Sequence, residues 1–131
     1  MLTKKILKEL FELQTKKGRK LKEKFLIEGA RLCQEVIESD WRIEQIYYSQ
    51  SFSESENGQK ILIKARQKKI NLILVQEKVI KKIAETETPQ GIVALVQKKN
   101  FSLKEGLAQN PLIILALENM KDPGNLGTII R

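Results

Sequence analysis

Gly91-Ile92-Val93-Ala94-Leu95-Val96 is apolar at every position after its glycine. A strand with one wet face alternates apolar and polar residues. A run apolar on both faces belongs in the middle of a sheet covered on both sides. The sheet around it can be read outward. Phe25-Leu26-Ile27, closed by Glu28-Gly29, reads as a strand, as do residues 43–48 and 71–75. Helical patterns separate them at 30–38, 59–69 and 77–84. Strands and helices alternate, so crossover connections and an α/β sheet layered by helices are expected.

The N-terminal segment carries Leu2, Ile6, Leu7, Leu10, Phe11 and Leu13 on one helical stripe, with Thr3 placed as N-cap. Glycine favours helix ends, so this helix is expected to fade near Lys16-Lys17-Gly18, leaving residues 18–23 as a basic, mobile-looking connection. Residues 51–58 read as a polar loop in which Ser53 and Glu56 offer a capping box. Beyond 98, a short linking helix is expected at 102–109. Asn110-Pro111 breaks it, and the apolar run 112–117 reads as a further buried strand. The expected organisation is a first domain over 1–98, a linker over 99–111 and the start of a second domain over 112–131.

Length and composition bound the function. A chain of 131 residues builds one ordinary core and is too short for two full domains. With no histidine, serine–histidine triads, histidine bases and histidine metal ligands are excluded. Cys33 is the single cysteine, so an intrachain disulfide and a cysteine-rich zinc site are excluded too. Its helical position makes it a small core residue. No apolar run approaches the roughly 18 residues of a membrane span, and the N-terminus lacks a signal-peptide core. No membrane association is expected, and the cytoplasm is the expected compartment.

The net charge is +8 and unevenly placed. Six of those charges fall in residues 1–25, where Lys4, Lys5, Lys8, Lys16, Lys17, Arg19, Lys20, Lys22 and Lys24 face only Glu9, Glu12 and Glu23. Such clustering suits a polyanion, because phosphate contacts dominate nucleic-acid affinity. A merely solvated basic face is the plainer alternative. Trp41, Tyr47, Tyr48 and Phe52 form either a base-stacking set or, at strand spacing, core around the second strand. Glu28 reads as a helix-start residue, while Arg31 is open between pairing with Glu28 and touching RNA.

The C-terminal stretch Asp122-Pro123-Gly124-Asn125-Leu126-Gly127-Thr128-Ile129-Ile130-Arg131 reads as a turn-rich loop after a strand. Pro123 fixes φ, Gly124 and Gly127 permit close approach or positive φ, and Asn125 carries a donor and an acceptor. An ordinary tight turn is the alternative. This stretch resembles the first signature motif of the SpoU (TrmH-like) RNA ribose methyltransferases of the SPOUT, trefoil-knot superfamily. Lys17-Gly18-Arg19-Lys20 with Phe25-Leu26-Ile27-Glu28-Gly29-Ala30-Arg31-Leu32 is similar to the start of that family's N-terminal substrate-binding domain. Thr88-Pro89-Gln90-Gly91-Ile92-Val93-Ala94 is similar to that domain's closing strand.

The resemblance implies an α/β fold: a three-layer α/β/α RNA-binding domain of the ribosomal-protein-like type, then the first strand and loop of a truncated trefoil-knot domain. It implies an S-adenosylmethionine (AdoMet)-dependent enzyme methylating a ribose 2′-hydroxyl in rRNA or tRNA, as a homodimer when whole. Within it, Asn125 and Arg131 match catalytic motif positions, Asp122, Pro123, Gly124 and Gly127 the motif loop. Lys16, Lys17, Arg19, Lys20, Lys22, Lys24 and Arg31 are the expected RNA contacts. Arginine stays protonated in proteins, so Arg131 is expected to activate the hydroxyl electrostatically rather than as a base. With the later motifs absent, no AdoMet is expected to bind residues 1–131, which are expected to be inactive by themselves and monomeric. A stand-alone RNA-binding module and a non-functional fragment are the alternatives.

Overall fold

The structure is a computed structural model that describes residues 3–109 and 113–131. Leu2 of the N-terminal stripe, the breaker Asn110-Pro111 and Leu112 of the expected strand lie outside the described residues. The chain divides into two compact units, residues 1–99 and 100–131.

In the first unit the elements run α1 (Lys4–Leu13), α2 (Lys16–Lys22), β1 (Lys24–Glu28), α3 (Ala30–Glu38), β2 (Ile43–Tyr48), α4 (Gln50–Glu54), α5 (Glu56–Gln67), β3 (Leu72–Leu74), α6 (Glu77–Ile83) and β4 (Ile92–Gln97). The sheet order is β1-β4-β2-β3. β4 lies antiparallel to both β1 and β2, while β2 and β3 are parallel. The apolar run that decides the fold is thus central, and its five residues Ile92 to Val96 are all buried.

Alternation sorts β4 between two cores. Ile92, Ala94 and Val96 join Ile46, Cys33, Val36, Ile37, Ile61, Leu62 and Ala65 on the α3/α5 face. Val93 and Leu95 join Tyr47, Leu10, Leu13, Ile80 and Ile83 on the α1/α6 face. Helices therefore cover both faces, giving three layers. Each buried branched aliphatic side chain contributes about 1.5–3 kcal/mol of burial, so neither face is dispensable. The aromatic set is split the same way: Tyr47 packs into one core, while Phe52, Trp41 and Tyr48 belong to the other.

Three expectations are corrected. Residues 18–23 are not a mobile connection, because α2 occupies Lys16–Lys22. Thr15 caps it: its hydroxyl accepts from Gly18 N–H at 3.0 Å and donates to the Glu12 carbonyl at 2.8 Å. Residues 51–58 are likewise helical, with Ser49 capping α4 and Ser55 capping α5. The Ser53–Glu56 box does not form, because Ser55 takes the N-cap. Tandem caps were misread as loops because serine and threonine serve both roles.

The second unit holds α7 (Leu103–Ala108) and α8 (Pro123–Ile130). Ser102 and Glu105 form a capping box on α7. The strand expected at 112–117 is not observed over 113–117, where the backbone is irregular and Ile113, Ile114, Leu115 and Leu117 are exposed. A strand needs a neighbour for its N–H and C=O groups, and no second extended segment pairs with it among the described residues. The expected loop 122–127 is also corrected. Asp122 caps α8, accepting from Gly124 N–H at 2.9 Å, and Pro123 occupies its first turn, where a missing N–H costs nothing. Gly124 and Gly127 are helical, without positive φ.

Candidate nucleic-acid interface

The seven expected RNA contacts fall in two places. Six gather where α2 meets the sheet edge. Lys16, Arg19 and Lys20 from α2, with Lys24, Phe25 and Leu26 from β1, line a groove of about 600 Å³ completed by Glu85 and Lys98. Lys17 lies on the same helix, and Lys22 closes it. Arg31 stands apart, in the first turn of α3.

These cations are not equivalent. Lys16, Lys17, Lys20 and Lys98 are exposed, and none enters an ion pair among the described residues. Arg19 donates through Nη1 to the carbonyls of Leu13 at 3.1 Å and Gln14 at 2.9 Å, so it tethers α2 to the end of α1. It also lies 3.8 Å from Glu85. Lys22 pairs with Glu12 at 3.4 Å. Lys24 is three-quarters buried, between Glu44 at 2.8 Å and Glu9 at 3.1 Å. The hydrogen bond to Glu44 foremost raises its pKa, against the opposing effect of burial. Lys24 is thus a structural cation, whereas the charge of the four exposed lysines is not paired with a carboxylate among the described residues.

Arg31 pairs with Glu35 one turn on, at 3.1 Å, and projects into solvent. The helix-start role expected of Glu28 is corrected. Its carboxylate accepts from the Glu85 N–H at 2.6 Å and from Thr86, tying the end of β1 to the loop after α6. The start of α3 is held instead by Gln90, whose Oε1 accepts from the Ala30 N–H at 2.8 Å across sixty residues of chain. Gln90, Glu85 and Lys98 were not singled out by the sequence reading. Lys98 is placed by pairing, since its N–H donates to the Glu23 carbonyl at 2.7 Å and so sets it beside α2. Its only sequence signal is a basic pair directly after a buried strand.

On α8, Asn125 sits in the first turn and Arg131 at the C-cap. Six residues of helix set them roughly 9 Å apart along the axis and about a third of a turn apart around it. The two motif residues are therefore not brought together by the helix alone.

The profile of the "MRM3-like substrate binding domain" family matches residues 4–94, the whole layered sheet short of its last strand residues. The chain belongs to the SpoU-type RNA methyltransferase family. Among relatives of this SpoU-type chain, the 23S rRNA (guanosine(2553)-2′-O)-methyltransferase RlmP of Bacillus subtilis is 32% identical over 127 residues, covering 95% of this chain and 45% of that protein. The mitochondrial rRNA methyltransferase 3A of Danio rerio is 34% identical over 113 residues, covering 82% of this chain and 25% of that protein. An AdoMet-bound rRNA methyltransferase from Sinorhizobium meliloti superposes with a TM-score of 0.67 at 27% identity, over 100% of this chain and 48% of that one. The SpoU-type chain therefore spans less than half the length of these relatives.

A small-molecule cofactor is held by burying most of its surface. Residues 113–131 are exposed throughout, so by themselves they do not fit AdoMet. Among the described residues no cluster of acidic or sulfur ligands could hold a metal, and no helix is long and apolar enough to cross a membrane.

Proposed function

We propose that this chain is the RNA-holding portion of an AdoMet-dependent rRNA or tRNA 2′-O-ribose methyltransferase. The observation that carries the reading is the α2 groove. Lys16, Lys17 and Lys20 stand exposed on one short helix, Lys98, just after β4, lines the groove with Lys16 and Lys20, and none of the four has a carboxylate partner among the described residues. Unpaired cations keep their full charge for phosphate. On this reading the whole protein is a homodimer in which Asn125 orients the loop or the substrate by hydrogen bonds and Arg131 stabilises the developing oxyanion of the ribose.

Residues 1–131 by themselves bind RNA and transfer no methyl group, since residues 113–131 are exposed throughout and enclose no site for the second reactant. The test is filter binding of the 131-residue chain to ribosomal RNA, alongside transfer of labelled methyl from AdoMet. Salt-sensitive binding without label transfer is the expected result. Methylation by the chain alone, or salt-independent binding, would overturn the reading.

A further inference from the structure

The outer edge of β1 forms the floor of the α2 groove. Among the described residues β1 is an edge strand, paired only with β4. In an antiparallel ladder, alternate residues point both backbone groups at the partner and the others point both away. The phase is fixed here at both ends. The Lys98 N–H donates to the Glu23 carbonyl at 2.7 Å and the Gly29 N–H to the Ile92 carbonyl at 3.2 Å, so residues 23, 25, 27 and 29 face β4. Leu26, between them, turns its N–H and C=O outward. Its side chain is half-buried against the α1/α6 core, while half-buried Phe25 packs on the opposite face against the α3/α5 core, and both residues line the groove.

An adjacent donor and acceptor, flanked by apolar surface and rimmed by Lys16, Lys20 and Lys98, match one chemical object. An unpaired nucleobase offers a donor–acceptor edge and a flat apolar face, with phosphates on either side. A bare peptide strand would also satisfy the edge, but it would leave the cations of the rim unanswered. Resting on the RNA-binding reading above, we propose that the β1 edge at Leu26 holds one unstacked base of a single-stranded RNA segment. The Leu26 N–H and C=O read its edge, the Leu26 side chain gives its ring an apolar neighbour, and Lys16, Lys20 and Lys98 take the neighbouring phosphates.

The test compares the 131-residue chain on two RNAs of equal length, a hairpin with an unpaired loop and a blunt, fully paired duplex, by fluorescence anisotropy. A 2-aminopurine in the loop reports on its own environment. The expected result is a preference of roughly ten-fold or more for the hairpin, with a change in 2-aminopurine emission on binding. Lys20→Ala should weaken both RNAs alike. Leu26→Pro deletes the outward N–H at a position where an edge strand tolerates proline, and should erase the preference, while Leu26→Ala, which keeps that N–H, should retain part of it. Equal affinity for the two RNAs with silent 2-aminopurine would overturn the base site while leaving RNA binding intact. Binding to neither would sink both readings. The wild-type fluorescence decides the matter even if a variant fails to fold.

Discussion

Gly18 lies directly against the backbone of Glu12: a Cβ at position 18 would fall 1.8 Å from the Glu12 carbonyl oxygen. The same relationship recurs between Gly58 and the carbonyl of Phe52, again at 1.8 Å. Both glycines are the third residue of a helix whose N-cap hydroxyl reaches back to that same carbonyl, Thr15 to Glu12 and Ser55 to Phe52. The two tight helix-to-helix turns are therefore built alike, and each admits only glycine.

Gly18→Ala should push α2 away from α1. The clash is with backbone, which cannot rotate aside, so a loss of about 1–3 kcal/mol is expected, read as a fall in the urea midpoint. RNA affinity should drop in parallel, because α2 carries Lys16, Lys17 and Lys20. Unchanged stability would mean that the turn opens freely.

The exposed and the tethered cations should separate in a salt titration. Lys16→Ala, Lys17→Ala and Lys20→Ala should each flatten the slope of log affinity against log salt by just under one unit. Lys24→Ala should leave that slope nearly unchanged, since its charge is committed to Glu44 and Glu9.

Lys24 should register instead in stability and its pH dependence. Its pKa is raised above the ordinary 10.5, chiefly by the hydrogen bond to Glu44. That contribution is full below pH 10.5 and is lost as pH climbs through the folded value. For Glu44, burial acts upward, but the hydrogen bonds from Lys24 and Gln97 outweigh it and hold the pKa below 4.5. Its contribution is present above pH 4.5 and is lost as pH falls through the folded value. Lys24→Met should cost on the order of 1 kcal/mol at pH 7 and flatten the alkaline limb, measured by urea unfolding across pH. An unaltered alkaline limb would contradict the assignment.

Cys33 should be inert in the native state. Burial pushes its thiol up to about 12, and its Sγ contacts the Ile27 carbonyl at 3.7 Å inside the α3/α5 core. A thiol reagent at pH 8 should label it only as fast as the protein opens. Immediate labelling of folded protein would show that the core is looser than described.

Much of the first unit was legible in order along the chain. The strands at 25–27, 43–48, 71–75 and 91–96 and the helices at 30–38, 59–69 and 77–84 match observed elements within a few residues, because periodicity and capping are local signals. The second unit was read less well. Asp122-Pro123-Gly124 reads as a turn in sequence, yet the same residue types start helices, and Pro123 with the Asp122 cap does so here. Gly18 reads as a helix end in sequence because its reason for being glycine, the Glu12 carbonyl, is a packing fact.

The sequence alone determined what local chemistry can settle: a twice-covered strand at Ile92 to Val96, a cap at Thr3, a buried Cys33, and a basic segment ahead of β1. Only the tertiary structure decided which strands are neighbours. β4, last in sequence, enters between β1 and β2 and runs against both. That placement brings Lys98 to α2, Gln90 to the Ala30 amide and Glu28 to the loop after α6, and it leaves the outer edge of β1 without a strand partner among the described residues. Backbone hydrogen-bonding groups are identical along the chain, so their pairing across sixty or seventy residues is chosen by how the two apolar faces of the sheet are covered together.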